Sequence, residues 1–81
     1  QQVNLFPNPV ENTLGLSFKK PLKSPYVATV TDIYGREVLT KDVSMKKKMD
    51  INVNGLGSGV YFIRVKFTRD GTWLTQKFIK K

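Results

Sequence analysis

Gly59-Val60-Tyr61-Phe62-Ile63-Arg64-Val65-Lys66-Phe67 is the stretch whose reading decides the fold of this chain. A glycine opens it, β-branched and aromatic residues fill it, and no helical period competes. Tyr61, Ile63, Val65 and Phe67 fall on one face, with Phe62, Arg64 and Lys66 on the other. One apolar and one mixed face at a period of two predict a half-buried strand of an antiparallel sheet. The rest of the chain reads as what pairs with this strand or covers it.

Downstream, Thr68-Arg69-Asp70-Gly71 predicts a tight hairpin with Asp-Gly at its tip, and residues 72–80 return as the last strand. A two-residue Asp70-Gly71 loop sets Phe67 against Leu74, Val65 against Gln76 and Ile63 against Phe78. Upstream lies the turn-rich Asn54-Gly55-Leu56-Gly57-Ser58-Gly59. Its alternate glycines mimic a phosphate cradle, but such a loop needs a following helix N-terminus and here a strand follows. Nucleotide binding is rejected on that ground. Leu56 followed by Tyr61 fits a tyrosine corner, with the phenol packed inward and its hydroxyl bonded to backbone a few residues upstream.

Nearer the start, residues 2–6 read as a short strand with Val3 and Leu5 on one side, ended by Pro7-Asn8-Pro9. Two prolines leave only one N–H in that tripeptide, so it is a rigid bend and not part of a ladder. Residues 13–18 alternate with Leu14, Leu16 and Phe18 inward, while Gly15 marks a weak point, expected to be a bulge or an edge. A polar loop over 19–25 leads to a strand at 26–32 with Ala28 and Val30 on one face. Asp32-Ile33-Tyr34-Gly35-Arg36 is a hairpin connection: Asp32 bonds N–H groups two residues on, and Gly35 takes positive φ. The return strand, 36–40, is expected to bring Val38 and Leu39 to the core. Lys46-Lys47-Lys48 repel one another and predict an exposed loop or edge, after which Met49, Ile51 and Val53 share one side of a further strand. About seven short strands with frequent turns predict an all-β fold, a small immunoglobulin-like antiparallel β-sandwich.

At 81 residues, 40% hydrophobic and 25% charged, the chain reads as one globular domain spanning 1–81. At that length roughly 60% of the unfolded surface is buried, near the margin for a single core. Neither a signal sequence nor an apolar run of about 18 residues is present. The opening Gln1-Gln2, without a Met, suggests a piece of a larger protein. Lack of cysteine and histidine removes disulfide frameworks, thiol nucleophiles and Cys/His zinc sites, and no cofactor is expected. A formal charge of +8 predicts attraction to anions such as nucleic acid, acidic lipid, acidic polysaccharide or an acidic protein, with plain solubility as the bland alternative. The acids are scattered, Asp32, Asp50 and Asp70 sit at turns or strand starts, and no base–nucleophile pair is visible. The expectation is that the chain is not an enzyme.

Four stretches in order carry a resemblance: Leu5-Phe6-Pro7-Asn8-Pro9, Asp32-Ile33-Tyr34-Gly35-Arg36-Glu37-Val38, Leu56-Gly57-Ser58-Gly59-Val60-Tyr61-Phe62-Ile63-Arg64-Val65 and Lys77-Phe78-Ile79-Lys80-Lys81. Together they resemble the type A C-terminal sorting domain of proteins exported by the type IX secretion system of Bacteroidetes, the Por secretion tail family. The resemblance covers essentially the whole chain. Each motif alone is weak, whereas four in order, closing at Lys81, are specific. Gly15 in a strand position and the heavy lysine load are the departures. The resemblance implies a folded address label at the end of a cargo domain N-terminal to it. Cargo would pass through the periplasm in transit and be taken up by the outer-membrane type IX translocon. A surface signal peptidase of cysteine type would cut upstream of the tail, leaving the cargo at the cell surface or extracellular, often attached to an anionic lipopolysaccharide.

For recognition, the register above sets Phe62 opposite Ile79, Arg64 opposite Lys77 and Lys66 opposite Thr75 on the outer face. Like charges directly opposite are unfavourable. Apolar beside basic residues there suggest a docking strip for an acidic, partly apolar partner, against the alternative of a face covered by a loop. Lys80 and Lys81 read as too exposed to support the fold, and so as open to being recognised directly. Pro7, Asn8, Pro9, Asp32, Gly35, Arg36, Leu56, Gly59 and Tyr61 read as determinants of the fold. The rival function is a non-catalytic carbohydrate-binding or adhesion module, for which Trp73, Tyr26 and Tyr34 are the candidate aromatics. Nucleic-acid binding rests on charge alone and would be non-specific. An exposed edge strand would also open a route to dimers.

Overall fold

Alternation at a period of two becomes strands throughout the computed structural model, which describes residues 2–81. Gln1, where the expected domain begins, lies outside the described residues. The strands are β1 (Val3–Phe6), β2 (Thr13–Phe18), β3 (Tyr26–Thr31), β4 (Glu37–Thr40), β5 (Lys48–Asn52), β6 (Gly59–Phe67) and β7 (Trp73–Lys80). They form two antiparallel sheets, β1-β2-β5 and β4-β3-β6-β7. That is the immunoglobulin order with the fourth strand joined to the third instead of the fifth. The all-β sandwich expected from the chain's periodicity is thus the fold.

The core lies between the sheets. Leu14, Leu16 and Phe18 of β2, with Ile51 and Val53, meet Tyr26, Ala28 and Val30 of β3, Ile63 and Val65 of β6, and Phe78 of β7. Phe18, Tyr26 and Phe67 pack edge-on or tilted at one end, with ring centroids 4.8–6.5 Å apart. Burial of Tyr26 removes it from the candidate sugar-binding aromatics. Burial also pushes its phenol pKa up, a shift that hydrogen bonding with Ser44 partly offsets.

Gly15 is neither a bulge nor an edge, because β2 is the middle strand of its sheet. It pairs with Phe6, whose ring lies over it, and a Cβ on Gly15 would stand 2.7 Å from Phe6 Cε2. The glycine is where the ring rests. Val38 is also corrected: Glu37 pairs with Thr31 and Leu39 with Val30, so Val38 is the extra residue of a bulge and faces solvent, leaving Leu39 on the core.

Pro7-Asn8-Pro9 does bend the chain, and the bend carries it from one sheet to the other. Beyond it Val10 is fully buried and runs parallel to the end of β7. Ile79 N–H donates to Asn8 Oδ1 at 2.9 Å, Val10 N–H to Ile79 O at 2.8 Å, and Lys81 N–H to Val10 O at 2.8 Å. The final residues are therefore held on both sides. This overturns the expectation for Lys80, which lies in β7 opposite Gly59, is only 8% exposed, and donates Nζ–H to Lys81 O. Its methylene stem is packing material. Lys81 remains exposed, 3.9 Å from Glu11 Oε1.

Candidate functional site

The outer face of the four-stranded sheet is built by the register of β6 on β7, and that register differs from expectation by two residues. Lys66 faces Trp73, Val65 faces Leu74, Arg64 faces Thr75, Ile63 faces Gln76, Phe62 faces Lys77, Tyr61 faces Phe78 and Val60 faces Ile79. The cause is the turn. Asp70 is not at the tip of a two-residue loop: its Oδ1 accepts from Thr72 N–H at 3.0 Å and Thr72 Oγ1–H at 2.7 Å. Gly71, at φ 73°, donates its N–H to Phe67 O at 3.0 Å, and Phe67 N–H bonds Thr72 O at 2.8 Å. Four residues make the loop, Phe67 pairs with Thr72, and every later partner moves by two. An even shift preserves which face each side chain occupies but changes its neighbours.

Two consequences follow for the strip. Arg64 and Lys77 are not directly opposite, so the repulsion expected between them is absent from the ladder. Trp73 shares the strip with them: it is 63% exposed, stands opposite Lys66, and has the Arg64 guanidinium 5.2 Å from its ring centroid. Basic and apolar side chains are therefore interspersed along the hairpin, in the pairs Lys66 with Trp73, Arg64 with Thr75, Phe62 with Lys77 and Val60 with Ile79. The strip continues onto β3, where Thr29 pairs with Arg64 and Thr31 with Phe62. A shallow cleft of about 300 Å³ separates Phe62, Arg64 and Trp73 from the β3–β4 turn. The signal that places Trp73 here is Asp70 two residues before a threonine, an Asx-type bond that a search for Asp-Gly alone passes over.

Of the expected recognition residues, the structure brings Phe62, Arg64, Lys66, Lys77 and Ile79 onto one outer face. Lys80 points into the sandwich, and Lys81 lies at the end of it.

Of the residues read as fold determinants, Asp32 and Tyr61 bond to nearby backbone through their side chains. Asp32 Oδ1 accepts from Tyr34 N–H at 2.9 Å and Arg36 N–H at 3.0 Å, while Arg36 Nε–H reaches Asp32 Oδ2 at 2.7 Å. Desolvation is the largest single influence on the Asp32 pKa and pushes it up, but the Arg36 and Tyr34 hydrogen bonds and the Arg36 charge together outweigh it, holding the carboxyl below its usual range. Gly35, at φ 81°, closes the turn, and Arg36 also lies 5.5 Å from the Tyr34 ring centroid. Tyr61 Oη–H donates to Gly57 O at 2.8 Å, and its ring stacks on Phe78 at 5.8 Å, which is the tyrosine corner. Leu56 packs against the core and Gly59 opens β6.

Among known proteins, the family model described as "Secretion system C-terminal sorting domain" matches residues 4–81. No curated protein sequence matches the chain. A similar solved structure is that of PorZ, an essential bacterial surface component of the type-IX secretion system of Porphyromonas gingivalis. It superposes with a TM-score of 0.74 at 20% identity, over 98% of this chain and 11% of the PorZ chain. The likeness at that identity concerns the sandwich, and this chain spans about a ninth of PorZ's length.

Proposed function

The chain belongs to the secretion system C-terminal sorting domain family, and from that premise we propose that it is a folded address label for type IX export. The label leads a passenger fused N-terminal to it from the periplasm through the outer-membrane translocon. A surface signal peptidase then separates it from the passenger, which ends at the cell surface or outside. The family match over residues 4–81 carries this reading. It is supported by what the motifs do here: three lie at a bend, a turn and a corner of one sandwich, and the fourth is the end of β7 held beside the bend.

The basic and apolar outer strip is the surface proposed for translocon contact. A net charge of +8 draws it toward acidic partners over about a Debye length, and Trp73, Phe62 and Ile79 supply apolar area once contact is made. The carbohydrate-binding rival is less well supported. Tyr26 is in the core, while Trp73 and Tyr34 each already have a guanidinium over the ring.

Fusing residues 1–81 to an unrelated periplasmic passenger, in a bacterium with an intact type IX translocon, tests the reading. The passenger should appear outside the cell. A folded fusion retained inside would refute it. Arg64→Glu with Lys77→Glu should block export while leaving the melting temperature within a few degrees; unaltered export would remove the strip from the proposal.

A further inference from the structure

We propose that the free edge of β7 takes up an extended acidic peptide from a partner as an additional strand of the sheet. Ile79 shows which way the edge faces. Its N–H and C=O are bonded to Asn8 and Val10, on the side away from β6. Main-chain direction repeats every second residue along a strand, so the N–H and C=O groups of Lys77, Thr75 and Trp73 point the same way. Among the described residues these groups have no hydrogen-bond partner, since β7 pairs only with β6 before residue 79. At one end of this edge Val10 already bridges Lys80 through main-chain bonds, while Asn8 takes the Ile79 N–H with its side chain. The remaining three outward residues offer about six further main-chain bonds.

The other sheet edges are poorer hosts. β1 and β4 have 4 residues each and β5 has 5, and β4 also pairs across a bulge. β7 has 8 residues in unbroken register with β6, without proline. Beside it, Val3 and Asn4 of β1 with Leu74 and Gln76 of β7 line an open groove of about 370 Å³. That groove would receive the inward side chains of a guest strand. Outward ones would lie beside Trp73, Thr75 and Lys77, with Arg64 and Lys66 one strand further in.

Charge selects the occupant. A second copy would bring another +8 domain to the same edge, whereas a segment with glutamate or aspartate at alternate positions gains from Lys77 and its neighbours. Backbone pairing supplies affinity and alternate side chains supply selection, as in other strand-addition complexes. The proposal rests on the sorting reading only for which protein brings the strand.

The probe is a synthetic peptide of ~8 residues alternating valine and glutamate, added to residues 1–81 and followed by amide hydrogen exchange. Exchange at Trp73, Thr75 and Lys77 should slow about tenfold or more, while the same peptide N-methylated at alternate positions should not bind. Thr75→Pro, which removes an outward N–H and leaves the β6 ladder intact, should weaken binding about tenfold. Binding of the N-methylated peptide equal to that of the parent would reduce the contact to charge alone and overturn the proposal. So would unchanged exchange at the three amides, or slowing that rises with protein concentration without peptide, which would assign the edge to a second copy. The wild-type exchange pattern decides even if Thr75→Pro does not fold. Failure here with the passenger still exported leaves the sorting reading intact; strand addition with the passenger retained refutes that reading alone.

Discussion

Tyr61 joins two roles that substitution can separate. Its hydroxyl donates to Gly57 O at 2.8 Å, and its ring stacks on Phe78 at 5.8 Å between centroids. Tyr61→Phe removes only the bond. Gly57 is exposed, so water can replace the lost donor, which puts the expected loss in the lower part of the usual range, about 0.5–1 kcal/mol. Tyr61→Ala removes the ring as well. A fully buried aromatic truncated to alanine loses about 3–5 kcal/mol, and partial burial of Tyr61 brings the expectation to about 2–3. Against a total of about 4–12 kcal/mol for a domain of this size, the first variant stays folded and the second loses a large share of its stability. Urea unfolding followed by tryptophan fluorescence measures both, with Trp73 as the single reporter. The midpoint of Tyr61→Phe should fall slightly at constant slope, with melting lower by about 2–8 °C. Equal losses for the two variants would refute the division between hydroxyl and ring. No loss for Tyr61→Phe would mean that the Gly57 bond adds nothing beyond what water supplies.

Asn8→Ala removes the acceptor of the Ile79 N–H, so exchange at Ile79 should accelerate by up to about tenfold while Phe78, bonded on the β6 side, keeps its protection. Equal acceleration at both would mean that the bend holds the whole strand and not its outer edge. Gly15→Ala forces the Phe6 ring off its seat, which offsets the roughly 0.5–1 kcal/mol gained by removing a strand glycine. In a Phe6→Ala background the same change should stabilise by that amount, and a double-mutant cycle from chemical unfolding would show it. Asp32 and Asp70 both have carboxyl pKa values lowered by folding, Asp70 through the Thr72 hydroxyl and N–H. A lowered folded value means that the stabilisation is complete above the usual carboxylate range and is lost as pH falls through the folded pKa. Melting temperature should therefore drop in acid, and Asp32→Asn should flatten that drop; an unchanged slope would show that the turn carboxylate is uncoupled from folding.

β6 was legible residue for residue because β-branched and aromatic residues alternate there without a break, and a period of two has one structural meaning. The Asp32 turn was legible for a similar reason: its bonds span four residues and need nothing from the rest of the molecule. What escaped depended on distant partners or on a choice between two local turns. Asp70-Gly71 satisfies a two-residue hairpin, yet the Thr72 hydroxyl favours the longer loop, and that choice moved the whole of β7 by two residues. Val38 became a bulge only because of how β4 meets β3. Burial of Lys80 required knowing that Val10, seventy residues earlier, lies beside it. Gly15 looked like a defect until Phe6 was seen to lie on it.

The same geometry governs how loss of export should be read in variants of the motif residues. Pro7-Asn8-Pro9 and the closing Ile79-Lys80-Lys81 are far apart in the chain yet meet in one set of hydrogen bonds, so they act as a single unit. Deleting the last two residues removes the Lys81 bond to Val10 and the buried stem of Lys80 together, and so tests folding before it tests recognition. Lys80→Met separates the two. It keeps an unbranched apolar stem and removes the ammonium, whose bond in the structure is to the neighbouring Lys81 O. Stability should change by less than about 1.5 kcal/mol, and if Lys80 serves the fold alone, export of a fused passenger should be unchanged. Loss of export at unaltered stability would mean that the ammonium is read directly, and would overturn the assignment of Lys80 to the core.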